Sequence, residues 1–261
     1  MPPDNYLSAA LLVLVGTAAG VGGLRLVRRL VGARYLAAHH DVAAALLSVV
    51  GTLYAVLLGL VVVDAMEDFE EAREATLQEE NSLANLVVLS GRLPPAKRAE
   101  VRRLAVEYGR IGVEREWPAM DAGRPDPTAH RAALALVRAA LDFEPQTEGE
   151  KAVYPLAVQS ATDLWSARHV RAVVCEEGIP TMEWVVLILG GVVTVAFTYF
   201  FVVERVRLQM IMTALVSLSI SLNIVLVMMF GYPYSGGVKI AAPESFRIPA
   251  DLLEDGGRSA G

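Results

Sequence analysis

Asp64, Glu67, Asp68 and Glu71 stand at i, i+3, i+4 and i+7, the spacing that brings side chains onto one face of an α-helix. Glu74 and Gln78 extend this stripe, while Met66, Phe69 and Arg73 fall on the opposite side. Like charges at such spacing repel by a few tenths of a kcal/mol per pair, and no Lys or Arg occupies the stripe to relieve them. Three readings are open. Repeated around an oligomer axis, the stripe becomes a ring of carboxylates that concentrates cations at a pore mouth. Paired carboxylates also offer the oxygen ligands that Ca²⁺ or Mg²⁺ take. The third reading is a solvated polar face on a bundle near a membrane. No metal ligand set is assigned.

The elements that carry these acids are apolar to an unusual degree. Of 261 residues, 54% are hydrophobic, and the mean hydropathy is +0.43. The excess lies in runs without charge: Leu7 to Leu24, Val42 to Val63, Trp184 to Val203 and Leu208 to Phe230. About 20 apolar residues cross the roughly 30 Å hydrocarbon layer as a helix, so the chain is expected to have four transmembrane helices. The lead "MPPDNY" lacks the positive charge that opens a signal peptide, so the first span reads as a retained anchor. The division expected is 1–63 for two spans and a basic loop, 64–180 for an acidic helical domain, 181–231 for two further spans, and 232–261 for a tail.

Arg25, Arg28, Arg29 and Arg34 follow the first span, and Arg205 and Arg207 lie between the last two. The positive-inside rule puts both short loops in the cytoplasm. The termini and the 64–180 domain are then outside a bacterial inner membrane, with a cytoplasmic domain as the alternative. That segment holds 14 Lys and Arg against 21 Asp and Glu, a net of −7, which excludes a nucleic-acid surface. Cys175 is the only cysteine, so neither an intrachain disulfide nor a thiolate cage can form.

The middle segment has helix punctuation and no strand signal. A helix is expected to run from the second span to Gly91. A second should run from Pro95 to Trp117 with Pro118 closing it, and a third from an Asp126 cap with Pro127 at its first position to about Phe143. A fourth should run from Pro145 and Thr147 towards Glu177, with Pro155 kinking or delaying its start. Leu83, Leu86, Val87, Leu104, Leu134, Leu141, Leu156 and Leu164 are the expected core. The fold class is all-α: four spans with a helical bundle inserted between the second and third.

Small residues recur every four positions in each span: Gly16 and Gly20; Gly51, Ala55 and Gly59; Gly190, Thr194 and Thr198; Thr213, Ser217 and Ser221. Such stripes let helices approach closely in lipid, within one subunit or between copies in a homo-oligomer. Tyr54 and Asn223 are the polar groups singled out at membrane depth, as candidates for an ion path or for a bond to a neighbouring helix. No span carries an ionisable side chain at depth, and only Gly190-Gly191 hints at a broken helix, which disfavours a proton-coupled transporter. His39 and His40 point apart on a helix, which disfavours a shared metal, and Asp41 suits an N-cap. Tyr232 and Tyr234 fit an aromatic belt. HExxH, P-loop and GxSxG motifs are absent, so neither an enzyme nor a cofactor is expected.

The stretches "HHDVAAALLSVVGTLYAVLLGLVVVDAMEDFEEA", "EWPAM", "FTYFFVVERVRLQMIMTALVSLSISL" and "GYPYSGGVKIAAPESF" resemble the bestrophin-like domain family of bacterial membrane proteins over about residues 35 to 247. The resemblance implies distant kinship to bestrophins, which are pentameric anion channels with four spans and a helical domain between the second and third. Three features depart from that pattern. The second span has no Phe where bestrophins carry a bulky apolar and Phe neck, and its acidic stripe repels anions. Bestrophins also keep the domain in the cytoplasm, opposite to the charge-based placement. Two functions follow: an oligomeric ion channel with an acidic, cation-favouring mouth, or a membrane-anchored interaction or signalling module whose 64–180 domain binds a protein partner.

Overall fold

The computed structural model describes residues 3, 5–31, 40–203 and 205–247. His39, Arg34 and the tail beyond Arg247 lie outside them, as do the side chains of His40 and Asp41. The described residues are helical, with no strand among them. The helices are α1 (Tyr6–Leu30), α2 (His40–Ser90), α3 (Pro95–Ile111), a π-turn (Gly112–Glu116), α4 (Trp117–Asp121), α5 (Pro127–Leu141), α6 (Glu148–Glu177), α7 (Thr181–Thr198) and α8 (Val206–Phe230), followed by a short 3₁₀ turn at Glu244–Phe246. Four of them, α1, α2, α7 and α8, are long and apolar enough to cross a bilayer. The chain divides into two compact units.

The first unit comprises residues 1–69, 178–232 and 236–238. Its α1 starts at a capping box, in which Ser8 N donates to Asn5 Oδ1 at 2.9 Å and Asn5 N donates to Ser8 Oγ at 3.2 Å. Two of the small-residue stripes meet there. A Cβ at Gly16 would collide with Ser221 Oγ, and one at Gly20 with Ser217 Oγ. Gly16 thus pairs with Ser221 and Gly20 with Ser217, so α1 and α8 run antiparallel with small residues in register. Arg28 Nη1 donates to Gln209 Oε1 at the far end of this seam. Gln209 is fully buried and its Nε2 donates to Tyr199 O at 3.2 Å.

α7 runs unbroken through Gly190-Gly191, so that pair is no discontinuity. The expected span reached Val203, but the helix stops at Thr198, where Phe200 N and Phe201 N turn back to Phe197 O and Thr198 O. At its other end Gly178 has φ +51°, a left-handed conformation that glycine adopts without strain, and the chain turns there from α6 into α7.

The second unit comprises residues 70–177, 233–235 and 239–261. Its core joins Leu83, Leu86 and Val87 of α2 to Val101, Ala105 and Tyr108 of α3, with Ala133 and Leu136 of α5, Ala161 and Leu164 of α6, and Phe246. Alanines at these contacts let the helices approach closely. Gly109 does the same at one point, since a Cβ there would strike the Phe246 carbonyl.

Several expectations fail in this unit. Leu141 and Leu156 are exposed and Leu134 is only half-buried, Leu136 and Leu164 filling the inner leucine positions of α5 and α6, while Leu104 is half-buried and packs against the core. Pro118 does not close a helix. The π-turn shifts the bonding, Trp117 N donates to Gly112 O, and Pro118 then sits in the first turn of α4, where its missing N–H costs nothing. Pro155 lies inside α6 without delaying its start at Glu148. Tyr234 belongs to no aromatic belt. It is buried, its hydroxyl donating to Ala72 O at 2.9 Å and lying 3.2 Å from Thr76 Oγ1.

Candidate functional site

α2 is 51 residues long, about 75 Å at 1.5 Å per residue, more than twice the hydrocarbon thickness. No proline interrupts it. Its packed face is set by Tyr54, Leu58, Val61 and Ala65, all buried with Leu187 and Val227 in one cluster. The Tyr54 ring fills the space that a side chain at Gly190 would need, and its hydroxyl donates to Leu187 O at 3.1 Å. Tyr54 is 7% exposed. Within the chain it packs against α7.

The other face is uncovered by the described residues. Val42, Leu46, Val49, Leu53, Val56 and Leu60 follow one another at steps of four and three residues, all exposed, with Leu53 at 66%. The same steps continue through Asp64, Glu67, Glu71 and Glu74, exposed as well. The steps average about 3.6 residues, so these side chains share one face of a straight helix. The apolar row and the acidic stripe are thus one line along one helix. Arg73 pairs with Glu70 at 3.6 Å off this line, and among the described residues no Lys or Arg pairs with Asp64, Glu67, Glu71 or Glu74.

Asp68 leaves the line. It is half-buried and turned towards the packed side. Glu183, in the first turn of α7, feels the charges of Asp64 and Asp68. Its sequence position, at the start of an apolar run, gave no sign of that neighbourhood. Among the described residues no group of three or more His, Cys, Asp or Glu could hold a metal ion.

The remaining candidates separate into used and unused. Asn223 bonds to its own helix, Nδ2 donating to Ser219 O at 2.9 Å, rather than to a neighbour. Thr194 likewise donates to Gly190 O at 2.8 Å. Thr213 Oγ1 meets Thr198 Oγ1 at 3.3 Å, joining α8 to α7. Gly51 has only Leu47 of its own helix near it, and Gly59 has nothing within 4 Å. Ala55 is exposed as well, so the small-residue stripe of α2 is largely uncovered by the described residues.

A buried ionic cluster in the second unit escaped the sequence altogether. Arg171, fully buried, donates from Nε to Glu79 Oε2 at 2.6 Å and from Nη2 to Glu116 Oε2 at 2.8 Å. Arg168 Nη2 donates to the other Glu116 oxygen at 2.5 Å, and the Tyr108 hydroxyl donates to Glu79 Oε1. The Arg171 guanidinium lies 4.2 Å from the centre of the Trp117 ring. The π-turn places Glu116 at this point. Burial opposes the charge on Arg171, but Glu79 and Glu116 more than offset it and hold the group well above its ordinary range. Burial, then Glu79, pushes Tyr108 well up. Burial also pushes the Cys175 thiol up to about 11.

Four helices of bilayer length, one of them continuing far beyond that length, define a polytopic α-helical membrane protein. Residues 14–244 match the Bestrophin-like domain, and the chain belongs to the bestrophin-like family. The fold is similar to crystal structures of a bacterial bestrophin homologue from Klebsiella pneumoniae. One with a single substitution aligns with a TM-score of 0.68 at 13% identity, covering 95% of this chain and 98% of that one. Another, phased on zinc, aligns with a TM-score of 0.65 at 13% identity over 95% and 97%. No curated protein sequence matches the chain.

Proposed function

We propose that the protein is an oligomeric, passive ion channel in which copies of α2 surround a shared path. Val49, Leu53, Val56 and Leu60 form an apolar constriction, and Asp64, Glu67 and Glu71 gather cations at its mouth. The observation that carries this reading is the uncovered face of α2, apolar through the membrane and acidic directly beyond it. Copies of α2 that turned this face to one another would share an apolar passage with an acidic end. Carboxylates drawn together around an axis repel one another, and cations in the mouth relieve that repulsion. The family's kinship to bestrophins supports a channel, while the sign of the charge favours cations over anions.

The test is the conductance of purified protein in planar bilayers. Wild type should pass cation-selective current. Replacing Asp64→Asn, Glu67→Gln and Glu71→Gln together should cut selectivity several-fold. A monomer or dimer in detergent that carries no current favours the partner-binding module instead.

The basic loops support a 64–180 domain outside an inner membrane, with a cytoplasmic domain as the alternative. A Gly123→Cys variant should react with an impermeant maleimide on intact cells, and reaction only after permeabilisation overturns this placement. Native Cys175 stays silent in that assay, since its raised pKa leaves little thiolate at neutral pH.

A further inference from the structure

We propose that the end of the first unit where α1 finishes and α8 begins binds the headgroup of an anionic phospholipid, with one acyl chain in the groove beside it. The sequence concentrates charge there. Residues 25–41 and 199–210 carry six arginines against Asp41 and Glu204, a net of +4 in a chain whose net charge is −6. Among the described residues no Asp or Glu pairs with Arg25, Arg28, Arg29, Arg205 or Arg207.

The helices bring these charges to one level. The register that sets Gly20 against Ser217 sets Arg28 against Gln209, and Arg28 Nη1 donates to Gln209 Oε1. Gln209 is 1% exposed, and its Nε2 donates to Tyr199 O at 3.2 Å. A neutral amide, itself fixed, thus holds the guanidinium in place and takes nothing from its charge. Arg25 and Arg29 stand on the same face of α1 as Arg28. α8 starts with Arg205 at its cap and Arg207 in its first turn, with no acid there and no side-chain cap. Cations at the positive end of a helix dipole are unfavourable by themselves. A phosphate over those N–H groups relieves them, and it matches the planar two-point bonding of guanidinium.

The groove beside the arginines narrows the ligand to a lipid. Leu47, Phe201, Met212 and Val216 line a space of about 160 Å³ with Gln209 in its wall. Gln209 is therefore shared: its amide holds Arg28, and its side faces the groove. Leu26, Leu30 and Leu208, next to the arginines in sequence, are exposed. A free phosphate or an acidic peptide uses the charges and leaves the groove empty. A zwitterionic lipid uses the groove but brings no net charge. An anionic phospholipid meets both demands, at the headgroup level where basic side chains attract such lipids. The proposal depends neither on the ion path nor on which side of the membrane this end occupies.

The experiment titrates the full chain, purified in detergent, with phosphatidylglycerol or phosphatidylcholine and counts bound lipid by native mass spectrometry. Phosphatidylglycerol should bind about tenfold more tightly or better. Arg29→Gln, Arg205→Gln and Arg207→Gln together should remove most of that preference, as should the last two alone if the triple variant does not fold. Arg92→Gln, Arg103→Gln and Arg124→Gln make the same change of charge on the second unit and should leave the preference intact. Met212→Trp, or Val216→Trp if the first does not fold, should weaken both lipids several-fold. Excess inorganic phosphate should not displace phosphatidylglycerol. Equal binding of the two lipids, an equal loss in the second-unit triple variant, displacement by phosphate, or full affinity in a folded tryptophan variant would each overturn the proposal.

Discussion

Glu67 and Glu79 sit on the same helix little more than three turns apart, in opposite circumstances. Glu79 is fully buried, and both its oxygens are engaged by Arg171 and Tyr108. Glu67 is exposed, with no ion-pair partner among the described residues, in line with Asp64 and Glu71. The difference is one of helical phase. Glu79 follows Ala65, Ala72 and Thr76 on the packed face, whereas Glu67 follows Leu53 and Leu60 on the uncovered one. The buried acid is committed to holding its own unit together. The exposed acids do nothing for the isolated chain, and such groups are the ones left available for function.

Breaking the buried set should have the largest effect. Arg171→Leu leaves Glu79 and Glu116 without their shared partner, and losing one member of a buried ion pair costs about 3–5 kcal/mol. Thermal unfolding in detergent should show it, and a loss below about 1 kcal/mol would erase the contrast between the two sets of acids.

Tyr108→Phe is expected to cost less, about 1.5–3 kcal/mol for a hydrogen bond to a charged group. It should also change the pH response. The folded-state pKa of Tyr108 is raised, so its contribution is intact below the ordinary tyrosine value of about 10 and is lost as pH rises through the folded value. The wild type should lose stability above about pH 10, and the variant should lose less. Part of the alkaline loss should survive in the variant, because burial raises Tyr234 in the same direction. An unchanged alkaline limb would remove Tyr108 from the account.

Neutralising Asp64, Glu67 and Glu71 should have the smallest effect on stability, within about 0.5 kcal/mol and in the stabilising direction if like-charge repulsion dominates. Conductance, rather than melting, should register those changes. A large loss of stability would assign the exposed acids a structural role and weaken the channel reading.

What could be read from the sequence follows the range of the interactions involved. The four spans depend on local composition, and the charge-free runs located them. The acidic stripe depends on helix phase alone, so its spacing was visible, although Asp68 turned away from it. Arg171 and Glu79 are distant in sequence, and each reads by itself as a solvated charge. Tyr234 looked like a belt residue because its acceptor, Ala72, cannot be inferred from its neighbours. Asn223 misled for the opposite reason: a polar group in lipid was expected to seek another helix, but the carbonyl one turn back was nearer.

The antiparallel seam of Gly16 and Gly20 with Ser221 and Ser217 has a consequence for biogenesis. α1 leaves the ribosome well before α8, its packing partner. At about 5–20 residues per second, α1 waits roughly 10–35 s in the membrane with its glycine face against lipid before α8 arrives. Until then the unit can reach nothing beyond a loosely held intermediate, and a nascent chain that stalls before Val206 strands α1 without its mate, a natural substrate for membrane quality control.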